Sequence, residues 1–266
     1  MKIEKGVYAA LLTPLLADLS CNKNELARHA QDLLHRGCHG VVLFGTTGEG
    51  PSFSNAEKVD ALNELIKQGI APNKIIVANG SANVPDSVAL IQDCMGLGCN
   101  LFLLSPPCFY KNICEEGVVA YYSQILQRAP FAQILLYHIP QLTGIPITCA
   151  IIHSLKRAFP ENIVGIKESE GNPAFTKELI HTFRDISVFV GKEKLLTEAM
   201  KEGAAGAICG LANLYPEEII SLYEQKSSEL PEIAKDVHFI VAFKAIMESR
   251  LGKSWRLVRP PLSCAL

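Results

Sequence analysis

The chain has 266 residues, 48% of them hydrophobic and 20% charged, with a net charge of −2 at neutral pH. That balance supports a sizeable core and excludes a wholly disordered chain or a strongly basic nucleic-acid binder, and the length suits one or two domains. No apolar run is long enough to span a bilayer, and the apolar N-terminus carries Glu4, Thr13 and Pro14 with no small-residue cleavage site after them, so neither a membrane partner nor a secretory signal is expected.

In chain order, a first strand is predicted over residues 7–12, then a helix over 24–36 with Leu26, Ala30, Leu33 and Leu34 on one face. A strand over 40–44 precedes a helix over 55–67, which Ser54 and Glu57 open with the spacing of a capping box. The alternation continues with strands at 75–78, 101–104, 134–137, 163–166, 188–190 and 207–209. Helices fall between them at 85–97, 115–128, 148–157, 173–183 and 192–202. Gly37, Gly98 and Gly203 each follow a helix, where a left-handed C-cap favours glycine.

The strand segments are almost continuously apolar, as strands buried on both faces of a parallel sheet are. Units of about 30 residues repeat without an interval short enough for a hairpin. The pattern predicts an α/β fold: a (β/α)8 TIM barrel over residues 1–215 with a short C-terminal helical extension over 216–266, its helices at 216–226 and 231–250. An open doubly wound sheet would prefer a glycine fingerprint in its first turn, and that turn reads TPLLAD.

The nine cysteines are odd in number and include no CxxC pair. Cys94, Cys99, Cys149 and Cys209 lie in apolar segments and read as reduced core thiols. His35, Cys38 and His39 lack a second ligand pair at zinc spacing and read as a helix end, so no metal site is expected.

In such a barrel, chemistry sits at the C-terminal ends of the strands. Lys167 ends strand 6 at the mouth of an apolar barrel, where desolvation favours a nucleophilic free amine; the alternative is a lysine snorkelling to solvent. Tyr137 ends strand 5 and is either a proton relay or a core tyrosine. The loop after strand 2, Gly45-Thr46-Thr47-Gly48-Glu49-Gly50, offers backbone N–H groups and two hydroxyls to a small carboxylate. Glu49, Glu168, Glu170 and Glu193 fall near the mouth, where paired carboxylates suit metal or glycosidase chemistry but helix caps and solvated charges are commoner. His138 is a general base or a structural residue.

Three segments match one family in order and at the right strand ends: GTTGE at 45–49, YxxPxxTG at 137–144 and GIKE at 165–168, with VRPPL at 258–262 similar to its C-terminal signature. The chain resembles the pyruvate-dependent class I aldolases, the family of dihydrodipicolinate synthase, N-acetylneuraminate lyase and 2-keto-3-deoxygluconate aldolase. The chain ends soon after VRPPL, so the last helix of many members is expected to be missing. The resemblance implies that Lys167 forms a Schiff base with pyruvate and that Tyr137 relays protons. It implies that Thr46, Thr47, Gly48, Ile208, Tyr110, Ser169 and Glu193 bind substrate, and that no cofactor is needed. It also implies a cytoplasmic homotetramer or dimer acting on pyruvate and a small aldehyde or sugar acid.

The departures from the family pattern bear on substrate. Leu142 stands where the synthases carry an arginine for the carboxylate of aspartate semialdehyde. Phe109 stands at the tyrosine that some members lend to a neighbouring subunit, with Tyr110 beside it. These departures favour a 2-keto-3-deoxy sugar-acid aldolase, with a dihydrodipicolinate synthase or a catalytically impaired keto-acid-binding barrel as alternatives.

Overall fold

The computed structural model describes residues 3–226, 228–233 and 237–264. Eight strands, β1 (Gly6–Ala10), β2 (Gly40–Leu43), β3 (Ile75–Asn79), β4 (Leu101–Leu104), β5 (Gln133–His138), β6 (Ile163–Glu168), β7 (Ser187–Val190) and β8 (Gly206–Cys209), form a closed parallel barrel in sequence order. The expected TIM barrel is the observed fold.

The outer layer contains α1 (Lys23–His35), α2 (Asn55–Lys67), α3 (Val84–Gly96), α4 (Glu115–Arg128), a one-turn α5 (Pro140–Thr143), α6 (Cys149–Ala158), α7 (Pro173–Thr182), α8 (Leu196–Glu202) and α9 (Pro216–Tyr223). The last of these packs on α8 and β1 and serves as the eighth helix of the ring, so α10 (Phe239–Leu251) is the helix added beyond it. The predicted capping box of α2 is formed: the Ser54 hydroxyl accepts from Glu57 N, and the Glu57 carboxylate accepts from Ser54 N at 2.9 Å.

Several boundaries differ from the periodicity for local reasons. The apolar run through Leu12 leaves the barrel after Ala10, because Leu12 N donates to Asn213 Oδ1 at 3.0 Å instead of joining a ladder. The helix expected over 192–202 opens as a 3-10 turn at Glu193–Leu195 before α8. Of the helix expected over 231–250, residues 231–233, 237 and 238 are not helical and 234–236 lie outside the described residues. The His238 side chain caps α10 by accepting from Ile240 N, which starts the helix at Phe239.

Two apolar layers result. Tyr8, Val42, Ile76, Leu103, Leu135 and Phe189 fill the barrel interior, and a larger layer lies between strands and helices. All nine cysteines are free. Cys94, Cys99 and Cys209 are buried as expected, and burial pushes the thiols of Cys94 and Cys99 up to about 12; Cys149 is only half-buried. No helix among the described residues is long and apolar enough to cross a membrane.

Candidate active site

Strand parity decides which way Lys167 points. Pairing between β5 and β6 runs Ile134↔Ile163 and then Leu135↔Gly165, so Val164 is an extra residue on β6. This β-bulge reverses the alternation beyond it. Val164 faces the barrel interior and Ile166 the helix layer, which leaves Lys167 in register with Tyr137 on one side and Phe189 on the other, all inward. Without the bulge, Lys167 would pair with His138 and face the helices. Gly165 permits the close packing there, since a Cβ would sit 2.5 Å from Ser187 O. A glycine inside a strand is the signal that could have announced the bulge.

Lys167 is 6% exposed. Its Nζ donates to Tyr137 Oη at 3.3 Å and lies 4.4 Å from the centroid of that ring. Thr46 Oγ1 approaches the same phenol oxygen at 3.4 Å. Burial pushes the Tyr137 pKa up, but the Lys167 charge and hydrogen bonds with Thr46, Lys167 and Ser169 more than offset it, and the phenol ends below its ordinary value. A buried phenol held between an amine and a hydroxyl is placed to pass protons.

Around this pair opens a cavity of about 330 Å³. Thr46, Thr47, Ser169, Glu193 and Ile208 line it as the sequence suggests. Glu193 also anchors the loop after β8, accepting from Leu211 N at 3.2 Å. Gln141 donates to Ser169 O at 2.7 Å and so ties the loop after β5 to the loop after β6. Leu142 and Lys192 sit on the lining as well. Sequence reasoning missed Phe239 and Phe243, which come from α10, far from any strand end, as well as Cys209 and Gly210 at the end of β8.

Other expected residues lie elsewhere. Gly48 does not line the cavity: Thr13 Oγ1 donates to its carbonyl at 2.8 Å, and a Cβ would sit 2.6 Å from Leu11 O. Its place is fixed by close packing on the end of β1. Tyr110 is 71% exposed and meets Phe109 edge-on at 5.4 Å, so a single chain does not bring it to Lys167. Lys111 is held on the same loop by Thr143 O at 2.9 Å and by Cys108 O.

Of the four carboxylates, Glu193 alone reaches the cavity. Glu168 accepts from Gly171 N at 2.8 Å and Thr176 Oγ1 at 3.1 Å. Glu170 faces His138 at 3.4 Å, and the three side chains gather ligand atoms within 4.8 Å of one another. They make a poor cation site, because His138 Nδ1 accepts from Ile147 N at 3.0 Å. The neutral ring then carries its proton on Nε2 and has no lone pair left for a metal. The same bond and the parity of β5 remove His138 as a base for the cavity.

Glu49 adopts the left-handed region at φ 58° and is buried. Its carboxylate pairs with fully buried Lys244 of α10 and accepts from Arg259 N at 2.8 Å. Lys244 also donates to Leu257 O at 2.6 Å. The Arg259 guanidinium bonds Glu57 at 2.5 Å and stacks 3.8 Å from the Phe53 centroid. That bond, with smaller help from Ser54, draws Glu57 down to about 2. The segment 258–262 thus clamps the loop that carries Thr46 and Thr47.

The sequence profile described as the dihydrodipicolinate synthetase family matches residues 4–244. A protein of Chloroflexus aurantiacus, described as an uncharacterised DapA-like lyase, is 36% identical over 215 residues, covering 80% of this chain and 72% of that one. The crystal structure of dihydrodipicolinate synthase from Agrobacterium tumefaciens is similar with a TM-score of 0.91 and 29% identity, over 99% of this chain and 94% of that one. The 2-keto-3-deoxygluconate aldolase of Picrophilus torridus is similar with a TM-score of 0.77 and 27% identity, over 83% of this chain and 78% of that one.

Proposed function

The chain belongs to the dihydrodipicolinate synthetase family and is a class I lyase of that family, and we propose that it cleaves or makes a 2-keto-3-deoxy sugar acid from pyruvate and an aldehyde. The single observation that supports this most is the Lys167–Tyr137–Thr46 cluster, with Leu142 on the wall of the same cavity.

In this reading the Lys167 amine, having passed a proton to the Tyr137 oxygen, attacks C2 of pyruvate. The carbinolamine loses its oxygen as water, with Tyr137 delivering the proton and Thr46 orienting the phenol. The protonated imine is an electron sink. The pyruvate methyl gives up a proton, the resulting enamine carbon bonds to the aldehyde carbon, and the aldehyde oxygen takes a proton back through Tyr137. Water then hydrolyses the imine and frees Lys167. Thr46 and Thr47 hold the pyruvate carboxylate, and Ser169 and Glu193 bond the hydroxyls of the aldehyde portion. The reading carries with it a cytoplasmic homo-oligomer, a dimer or tetramer, with no nucleic-acid or membrane partner.

Leu142 separates this reading from lysine biosynthesis. It offers no donor to a second carboxylate, and a hydrogen bond to a charged group is worth about 1.5–3 kcal/mol. At tenfold per 1.4 kcal/mol, that disfavours aspartate semialdehyde by roughly 10- to 150-fold. One observation favours the synthase reading: Lys192, exposed on the lining of the cavity, is a cation within the same site. Catalytic efficiencies for cleavage of 2-keto-3-deoxygluconate and for condensation with aspartate semialdehyde, measured in one buffer, decide between them. Efficient use of the sugar acid and poor use of the semialdehyde are expected; the reverse pattern makes the chain a synthase.

A further inference from the structure

The cavity around Lys167 is lined by both polar and apolar groups. Ser169, Lys192 and Glu193 supply polar groups from the ends of β6 and β7. Phe239 and Phe243 of α10 and Leu142 supply apolar groups to the same lining. The two rings meet edge-on with centroids 5.7 Å apart, and His238 stacks on Phe239 at 4.9 Å. Phe239 is therefore held between two other rings.

The wall is also fixed to the machinery below it. A Cβ on Gly210 would lie 3.0 Å from both Phe243 Cε2 and Thr47 Oγ1, so the absent side chain lets ring and hydroxyl share that spot. The next residue, Lys244, is the buried partner of Glu49 in the Thr46–Thr47 loop. Phe243, 8% exposed, lies beside the pyruvate end, and Phe239, 38% exposed, continues the wall toward the mouth.

We infer that α10 forms the far wall of the aldehyde subsite and selects, among 2-keto-3-deoxy acids, those whose terminal carbon is a methyl or larger apolar group rather than a hydroxymethyl. The inference rests on the aldolase reading above and deepens its substrate class. Hydroxyls near the new bond reach Ser169 and Glu193. A terminal hydroxyl set against the α10 rings meets ring carbons, loses water and gains no partner there, whereas a methyl buries apolar area against the same rings. An apolar pocket discriminates against an added hydroxyl by at most about 100-fold, so the expected preference is about 10- to 100-fold.

The test is condensation of pyruvate with 2-hydroxypropanal, 2,3-dihydroxypropanal and propanal, read as kcat/KM, with borohydride trapping at Lys167 run in parallel. The wild type is expected to prefer 2-hydroxypropanal over 2,3-dihydroxypropanal by about 10- to 100-fold. Phe239→Ser is expected to bring that ratio close to one, and Phe239→Leu to keep most of it; Phe239 is partly exposed, so neither change threatens the fold. Equal or better use of 2,3-dihydroxypropanal by the wild type, or a ratio unmoved by Phe239→Ser, overturns the inference. So does trapped imine with no condensation of any of the three. If propanal alone condenses and the ratio of propanal to 2,3-dihydroxypropanal falls in Phe239→Ser, the wall stands and the sugar-acid reading fails. Absence of imine at Lys167 removes the aldolase reading and this inference with it.

Discussion

The Tyr137 hydroxyl lies within 3.4 Å of both the Lys167 amine and the Thr46 hydroxyl, and in the proposed reaction its loss is expected to separate binding from turnover. Tyr137→Phe keeps the ring under Lys167 and removes the proton path. Turnover is expected to fall roughly 10²- to 10⁴-fold in steady-state kinetics, with imine still trapped by borohydride; a fully active variant makes Tyr137 a packing residue. The identities of Lys167 and Tyr137 were legible in the sequence, because each ends an apolar strand segment. Their facing was not, because it depends on the extra residue at Val164, which periodicity does not show. Gly48 and Tyr110, carried over from the family, lie outside the cavity of a single chain, Gly48 packed on the end of β1 and Tyr110 on an exposed loop. A second residue gives a pH signature. His29 is fully buried, with Nε2 3.0 Å from Asn213 Oδ1, and burial lowers its pKa to about 4 despite that bond. Between pH 4 and the ordinary histidine value of about 6.5, the unfolded chain binds a proton that the native chain does not. Stability is therefore expected to fall as pH drops through that window, by at most about 3 kcal/mol from this group. Urea unfolding of wild type and His29→Gln at several pH values checks it; equal acid sensitivity of the two proteins removes His29 as the cause.

At the scale of elements, α10 and the segment 258–262 hold the loop after β2 from outside the barrel. Glu49 adopts a conformation that non-glycine residues avoid, and its buried carboxylate is matched by Lys244 and Arg259 N. Removing one partner of a buried pair strands the other charge and costs about 3–5 kcal/mol. Lys244→Met is expected to destabilise the protein by about that amount in urea unfolding. It is also expected to weaken pyruvate more than a surface substitution of equal thermodynamic cost, because the Thr46–Thr47 loop loses its clamp. Lys244→Met combined with Glu49→Leu should recover part of the stability without recovering pyruvate affinity. If the single variant unfolds like wild type, the ion pair is not what fixes the loop. The clamp was half-visible in the sequence: GTTGE and VRPPL were both recognised, but their joining residue lies inside a helix whose pattern shows only its apolar face.

For the whole molecule, the barrel explains why residues from β2, β5, β6, β7, β8 and a helix beyond the ring meet in one cavity. The strand and helix alternation made that architecture legible, since strands buried on both faces have a distinctive composition. Substrate choice was less legible, because two aromatic rings of the cavity wall come from α10, which no barrel rule places. In the proposed reaction this assembly makes Lys167 the amine that bonds pyruvate. The most direct measurement is reduction with borohydride in the presence of pyruvate, followed by peptide mass mapping of wild type and Lys167→Ala. One reduced three-carbon adduct is expected, on Lys167, and none in the variant. An adduct on another lysine, or an active protein that carries none, contradicts the proposed reaction.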